Sequence, residues 1–252
     1  MGIREVIFYL IFIITGLAVG SFLEVVIYRV PRKLSIVRPA SFCPNCKKKI
    51  AFYDNIPVLS YIILRGRCRY CKSKIPVKSL LVEIITALLF LANYIIFGLS
   101  INTAIGIIFC CALIAVSFID IEFKIIPNVI VLPLTVVGLA LNIASDPSNW
   151  WMPLAFSVGA FVFMLIIHLI SPRGMGMGDV KLSLMAGAFL VRNVVSGLFL
   201  GFLLGSLYGL SLIIIKRKKL KQAIPFGPFI SLGSIISLFW GNYILKWYIS
   251  FF

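Results

Sequence analysis

Charge is scarce in this chain. Only 13% of its 252 residues are Asp, Glu, Lys or Arg, and the mean hydropathy is +1.09. A soluble domain of this length carries about a quarter charged residues, so a water-soluble globule is excluded. Histidine occurs once, at His168, which argues against a His-based serine protease and against a His-ligated catalytic metal. There is no internal repeat, no low-complexity tract and no amphipathic targeting helix at the N-terminus. The first apolar run is too long for a signal peptide, and no small-residue cleavage site follows it. It is expected to remain as a membrane helix.

What abounds is apolar sequence, 61% of the chain. Some 18–20 apolar residues, roughly, cross a bilayer core, and such runs recur at 5–28, 79–98, 102–119, 125–144, 151–171, 180–191, 194–215 and 226–249. The expected fold is an all-α polytopic membrane protein of about eight transmembrane helices. The run at 180–191 is short. Either Arg192 snorkels outward or the preceding loop dips below the membrane surface, which non-helical backbone does only where protein or a wet cavity covers it.

The formal charge of +16 invites a nucleic-acid reading, but its distribution does not support one. With the N-terminus outside, the inner segments 29–78, 120–126, 172–181 and 216–222 hold 21 of the 24 Lys and Arg. That bias is what the positive-inside rule produces. The charge sets topology and offers contacts to anionic membrane lipid; no nucleic-acid partner is expected, and no motif specifies an oligomeric state.

One segment breaks the membrane pattern. Residues 31–78 are basic, polar and punctuated by proline, too few to bury a core and in need of a disulfide or a metal. They contain two C-x-x-C pairs, Cys43/Cys46 and Cys68/Cys71, separated by 21 residues. Four thiolates so spaced match a structural zinc site with no open coordination position. The alternatives are two disulfides or idle thiols, and a reducing inner location argues against disulfides. The chain thus divides into a first transmembrane helix (1–30), a zinc-knuckle domain (31–78) and a seven-helix membrane domain (79–252). Cys110 and Cys111 lie mid-span as packing residues, and His168, on an apolar helix near its inner end, reads as a satisfied interior side chain.

Eight acids remain. Glu5 and Asp146 belong to the outer surface and Asp54 to the inner domain, which Glu24 and Glu83 flank. Asp120 ends the third run, with Glu122 two residues on, and Asp179 closes GMGMGD at the start of the sixth. Both aspartates fall on the inner side at similar depth. Brought together, two aspartates share a proton and act as base and acid on an amide. Gly176 and Gly178 would then let an extended substrate backbone approach, and supply the special dihedrals of a tight turn. The bland alternative is a flexible loop with a helix-start Asp.

The chain resembles the type IV prepilin peptidases, membrane aspartyl proteases of the GxGD type. The likeness spans nearly its whole length, through GSFLEVVIYRVPR, the cysteine segment, IDIEFKIIPN, GMGMGDVKL and PFGPFISLG. The resemblance implies that Asp120 and Asp179 are the catalytic pair and that 79–252 is the peptidase domain. It implies cleavage of the basic leader of prepilins or pseudopilins at the cytoplasmic face of the bacterial inner membrane. It also implies methylation of the new N-terminus from S-adenosylmethionine. Two positions depart from the family pattern: Glu24 replaces an Asn, in the pocket for substrate or methyl donor, and Asn128 replaces a frequent Asp. A presenilin or signal-peptide-peptidase type of protease shares the paired aspartates but gives the cysteine domain no role. A transporter would show repeated halves, and none is evident.

The charge division generates a test of orientation. A cysteine introduced at Ser148 is expected to react with an impermeant thiol reagent added outside, and one within 31–78 only after the membrane is opened. Labelling of position 148 from the cytoplasmic side alone would overturn the orientation.

Overall fold

The computed structural model describes residues 2–172, 174–215 and 225–250. The expected basic inner segment 216–222 lies outside the described residues. The described chain is helical, and its only strand-like pairings are two isolated bridges, Phe42 with Lys49 and Arg67 with Lys74. Its contacts divide it into two units, Met1–Thr103 and Ala104–Phe252.

In the first unit, α1 (Ile3–Arg29) packs along α3 (Val77–Phe97), with the cysteine segment and the short α2 (Leu59–Ile63) between them in sequence. A Cβ at Gly16 would lie 2.7 Å from the Ala87 Cα, and one at Gly20 2.7 Å from the Glu83 Cα. This is the close backbone approach that glycines four apart permit between membrane helices.

The second unit holds α4 (Ile101–Phe123) from Ala104 on, with α5 (Asn128–Ser145), α6 (Trp151–Ile170), α7 (Met177–Leu190), α8 (Val194–Ile214) and α9 (Gly227–Ile249). Its core joins Phe109, Leu113 and Val116 of α4 to Val131, Met164, Val180, Met185 and Ile230 from the other helices. The Phe109 and Phe189 rings stack at 4.8 Å. Outward-facing side chains such as Val136, Phe163 and Phe199 are apolar and exposed, as a helix facing lipid requires.

The central element is α7. Buried residues run along every face of it, which marks a helix enclosed by others. Neighbours also bond its carbonyls: the Ser157 hydroxyl donates to that of Leu184 in mid-helix, and the Asn142 amide to those of Ala188 and Phe189 near the C-terminal end. At 14 residues it spans only ~21 Å. Among the described residues seven stretches are long and apolar enough to cross a membrane, and α7 counts among them only as part of a 36-residue stretch, Met177–Leu212, with α8. The eight expected runs thus correspond to α1 and α3–α9, the sixth being a short, enclosed helix.

Gly187 shows how closely α7 is held. A Cβ there would meet the Phe156 carbonyl oxygen and the Ser157 Cα, both at 2.6 Å, and backbone cannot swing aside. Gly187→Ala is expected to destabilise the folded protein by ~1–3 kcal/mol, the range for an over-packed core. Thermal unfolding in detergent measures it; an unchanged midpoint would contradict the backbone contact between α6 and α7.

Candidate active site and metal centre

Asp120 lies in the last turn of α4 and Asp179 in the first turn of α7, both buried. Asp179 is close enough to Asp120 for their charges to interact. Each carboxylate meets a backbone donor at a helix start. Gly227, the first residue of α9, donates its N–H to Asp120 Oδ2 at 3.0 Å. Gly176, just before α7, donates to Asp179 Oδ2 at 3.1 Å, while the Asp179 N–H returns a bond to the Gly176 carbonyl. The first N–H groups of a helix have no partner within it, and its positive end favours an anion. In this way α7 is capped by its own aspartate and α9 by one from α4.

Ile126 gathers the rest. Its side chain lies 2.9 Å from where a Gly178 Cβ would stand and 3.3 Å from where a Gly227 Cβ would stand. A Gly227 Cβ would also fall 2.7 Å from Asp120 Oδ2. Any larger residue at either glycine would push Ile126 or the carboxylate away. The expected reason for the glycines therefore needs correcting: Gly176 is extended, with φ −80°, and Gly178 lies in the first turn of α7. At Gly178 it is the absent side chain that counts, not an unusual dihedral.

Two further groups meet this loop. His168, in the last turn of α6, bonds the Met175 carbonyl through Nδ1 at 2.8 Å, so Nδ1 carries the proton. It also lies near enough to Asp179 for their charges to interact. Lys181 donates to the Asn128 side-chain oxygen at 3.1 Å, joining the starts of α7 and α5. Of the residues named from the sequence, the structure thus brings together Asp120, Asp179, Gly176 and Gly178. It adds Gly227, Ile126 and His168, which no sequence spacing singled out as members of the site.

Glu24 belongs to the first unit. Its charge is felt by Glu83, a buried carboxylate that accepts the Val58 N–H at 2.7 Å and bonds the Ser21 hydroxyl. The same unit contains a cavity of about 310 Å³ between one face of α1 and the segments 36–41 and 55–57, with Arg29 in its wall.

The four cysteines Cys43, Cys46, Cys68 and Cys71 converge, their sulfurs all within 4.8 Å of one another. None is in a disulfide. The two knuckles are built alike. Cys43 and Cys68 each accept a bond from the backbone four residues on, where Lys47 and Lys72 both have φ 59°. Each then pairs the residue before it with the sixth after it across a bridge. The Cys43 and Cys71 sulfurs are 3.8 Å apart, the edge of a sulfur tetrahedron around a metal at Zn–S distances (~3.8 Å). The Ser73 hydroxyl, 3.0 Å from the Cys71 sulfur, holds that thiol down to about 6. A cluster of this kind could hold a metal ion.

The family model for the bacterial peptidase A24 N-terminal domain matches residues 14–97, and that for the type IV leader peptidase family matches residues 107–214. A prepilin leader peptidase/N-methyltransferase of Bacillus subtilis is 34% identical over 240 residues, covering 95% of this chain and 97% of that protein. Proteins of the same name from Legionella pneumophila and Pseudomonas aeruginosa are 32% and 31% identical, over 96% and 97% of this chain and 95% and 94% of their own lengths. No solved structure matches the chain.

The cysteine geometry predicts a metal that folding depends on. Purified under reducing conditions, the chain is expected to carry close to one equivalent of metal, and Cys43→Ser with Cys46→Ser to carry less than ~0.1, because a structural metal is linked to folding. Elemental analysis, with limited proteolysis of residues 31–78, reads both. Metal-free, protease-resistant wild type would contradict the site.

Proposed function

This chain belongs to the type IV leader peptidase family, and we propose that Asp120 and Asp179 are its catalytic pair. It is a multi-pass membrane peptidase of prepilin leaders. The reading of the pair rests above all on one observation: two buried aspartates, each fixed by a backbone N–H at a helix start, close enough to feel each other's charge.

In each carboxylate the backbone bond occupies Oδ2, so Oδ1 is the oxygen available to a water or a scissile amide. One aspartate takes a proton from water as its oxygen attacks the carbonyl carbon. The other gives a proton to the amide nitrogen as the C–N bond breaks, and the pair ends with its shared proton exchanged between the two. Gly176, where a Cβ would meet nothing nearer than Asp179 Oδ2 at 3.5 Å, leaves room for an extended peptide against the dyad, and Gly178 packs on Ile126 beside it. The substrate is a prepilin or pseudopilin whose basic leader stays at the cytoplasmic face while its apolar segment remains in the membrane. Glu24, in the first unit, is a further substrate-binding residue in this reading.

The cysteine cluster in this reading holds zinc. Four sulfurs close its coordination, so the ion is structural and takes no part in the hydrolysis. Methyl transfer to the new N-terminus follows from the double name that the relatives carry. S-adenosylmethionine would supply the methyl group, and the groups of this chain that fit its carboxylate are those around Arg29, in the cavity of the first unit.

Asp120→Asn and Asp179→Asn keep shape and remove an ionisable oxygen. Each is expected to lower leader removal by about 10³-fold or more, with the double variant little worse, because groups acting as one unit are not additive. The assay is the gel shift of a co-expressed prepilin, with protein level followed in parallel. A well-expressed Asp179→Asn variant cleaving at the wild-type rate would overturn the pair.

A further inference from the structure

Arg29 closes the last turn of α1 and is only 4% exposed. Its Nη1 donates to the Ser35 carbonyl at 2.9 Å and its Nη2 to that of Ala40 at 3.4 Å. The Phe42 ring lies 5.8 Å from its Cζ. A guanidinium carries five N–H donors, and these two carbonyls occupy two of them. No carboxylate of the described residues is within salt-bridge reach. The carbonyls and the negative end of α1 ease the burial, but none of them carries a full charge. A buried cation without a counter-charge is costly, and this one lines a cavity.

The cavity holds about 310 Å³, at the lower end of the volumes that small-molecule sites occupy, ~300–1,000 Å³. Its α1 wall comes from positions 18, 21, 22, 25 and 29, a single face at helical spacing. Phe22, Val25 and Val37 give it apolar surface, while Ser21 and Asn55 add polar groups. Arg38 stands in sequence between two lining residues, Val37 and Pro39, and adds positive charge to that segment.

We propose that this cavity is a binding site for a small ligand with an apolar body and one carboxylate or phosphate, which pairs with the free edge of the Arg29 guanidinium. A planar fork of donors suits a two-oxygen anion, and such pairs are the strong ones among hydrogen bonds. Two sources carry that chemistry: the amino-acid carboxylate of a sulfonium nucleoside methyl donor, and the phosphate of an anionic phospholipid headgroup. The site does not depend on the aspartate dyad, whose residues all belong to the other unit. Its failure would leave the peptidase reading untouched.

The test is calorimetric titration of the full chain in uncharged detergent with three probes. S-adenosylhomocysteine carries the carboxylate on a nucleoside, short-chain phosphatidylglycerol carries the phosphate, and adenosine carries neither. One of the anionic probes is expected to bind, with adenosine at least about tenfold weaker, and the tighter of the two identifies the source. Arg29→Gln is expected to weaken that probe by about tenfold or more. Because Arg29 also holds two loop carbonyls, Val37→Trp supplies the second arm: it fills the cavity from an exposed position and is expected to cause a similar loss, with thermal unfolding checking the fold. Neither anionic probe binding by ~1 mM, or binding unchanged in Val37→Trp, would overturn the site.

Discussion

A carboxylate set inside an apolar bundle has to find hydrogen-bond donors there, because bulk water does not surround and solvate it. In this chain both donors are backbone N–H groups at helix starts, Gly227 for Asp120 and Gly176 for Asp179. The consequence is architectural. The position of each carboxylate is set by where a helix begins, so the entry of α9 and that of α7 must both be placed before the pair exists. Ile126, against Gly178 and Gly227 together, fixes the spacing of those two entries. The burial of α7 on all sides then reads as part of the same requirement, since an enclosed short helix cannot slide.

The first unit meets a different constraint. Its cysteine segment has little apolar core, and many of its large side chains, Phe52 and Tyr70 among them, are exposed. Order there comes from local geometry: two knuckles of identical hydrogen bonding and the bidentate pair of Arg69 with Asp54 at 2.6 and 2.7 Å. Arg69 holds the Asp54 carboxyl below the usual carboxylate range. A metal shared by the knuckles would tie them together, as small domains of this size require.

The apolar runs were legible because a membrane span needs one property over a fixed length, and α1, α3 and α9 lie close to the runs that predict them. The cysteine pairs were legible because metal ligation is local in sequence. The aspartates could be named as candidates because acids are so few. What the sequence hid is whatever depends on a backbone atom or on a contact between distant helices. Gly227 contributes only an N–H, and that N–H is 107 residues from Asp120. Ile126 is one more apolar residue until Gly178 is seen to lie against it. His168 was read as an interior side chain; it does bond a carbonyl, but one in the GMGMGD loop, a partner that no helical periodicity could indicate. The apolar run puts the start of α7 at 180, past Asp179, whereas reciprocal bonding between Gly176 and Asp179 begins the helix at Met177.

The central claim is that Asp120 and Asp179 face one another across a single site. Thiol cross-linking in native membranes tests it without reference to substrate. In a chain carrying Asp120→Cys and Asp179→Cys, with Cys110 and Cys111 replaced by Ala, a short bifunctional thiol reagent is expected to join positions 120 and 179 in high yield. Peptide mapping would show the link within one chain. Two freely reactive thiols that no short reagent can bridge would contradict the account.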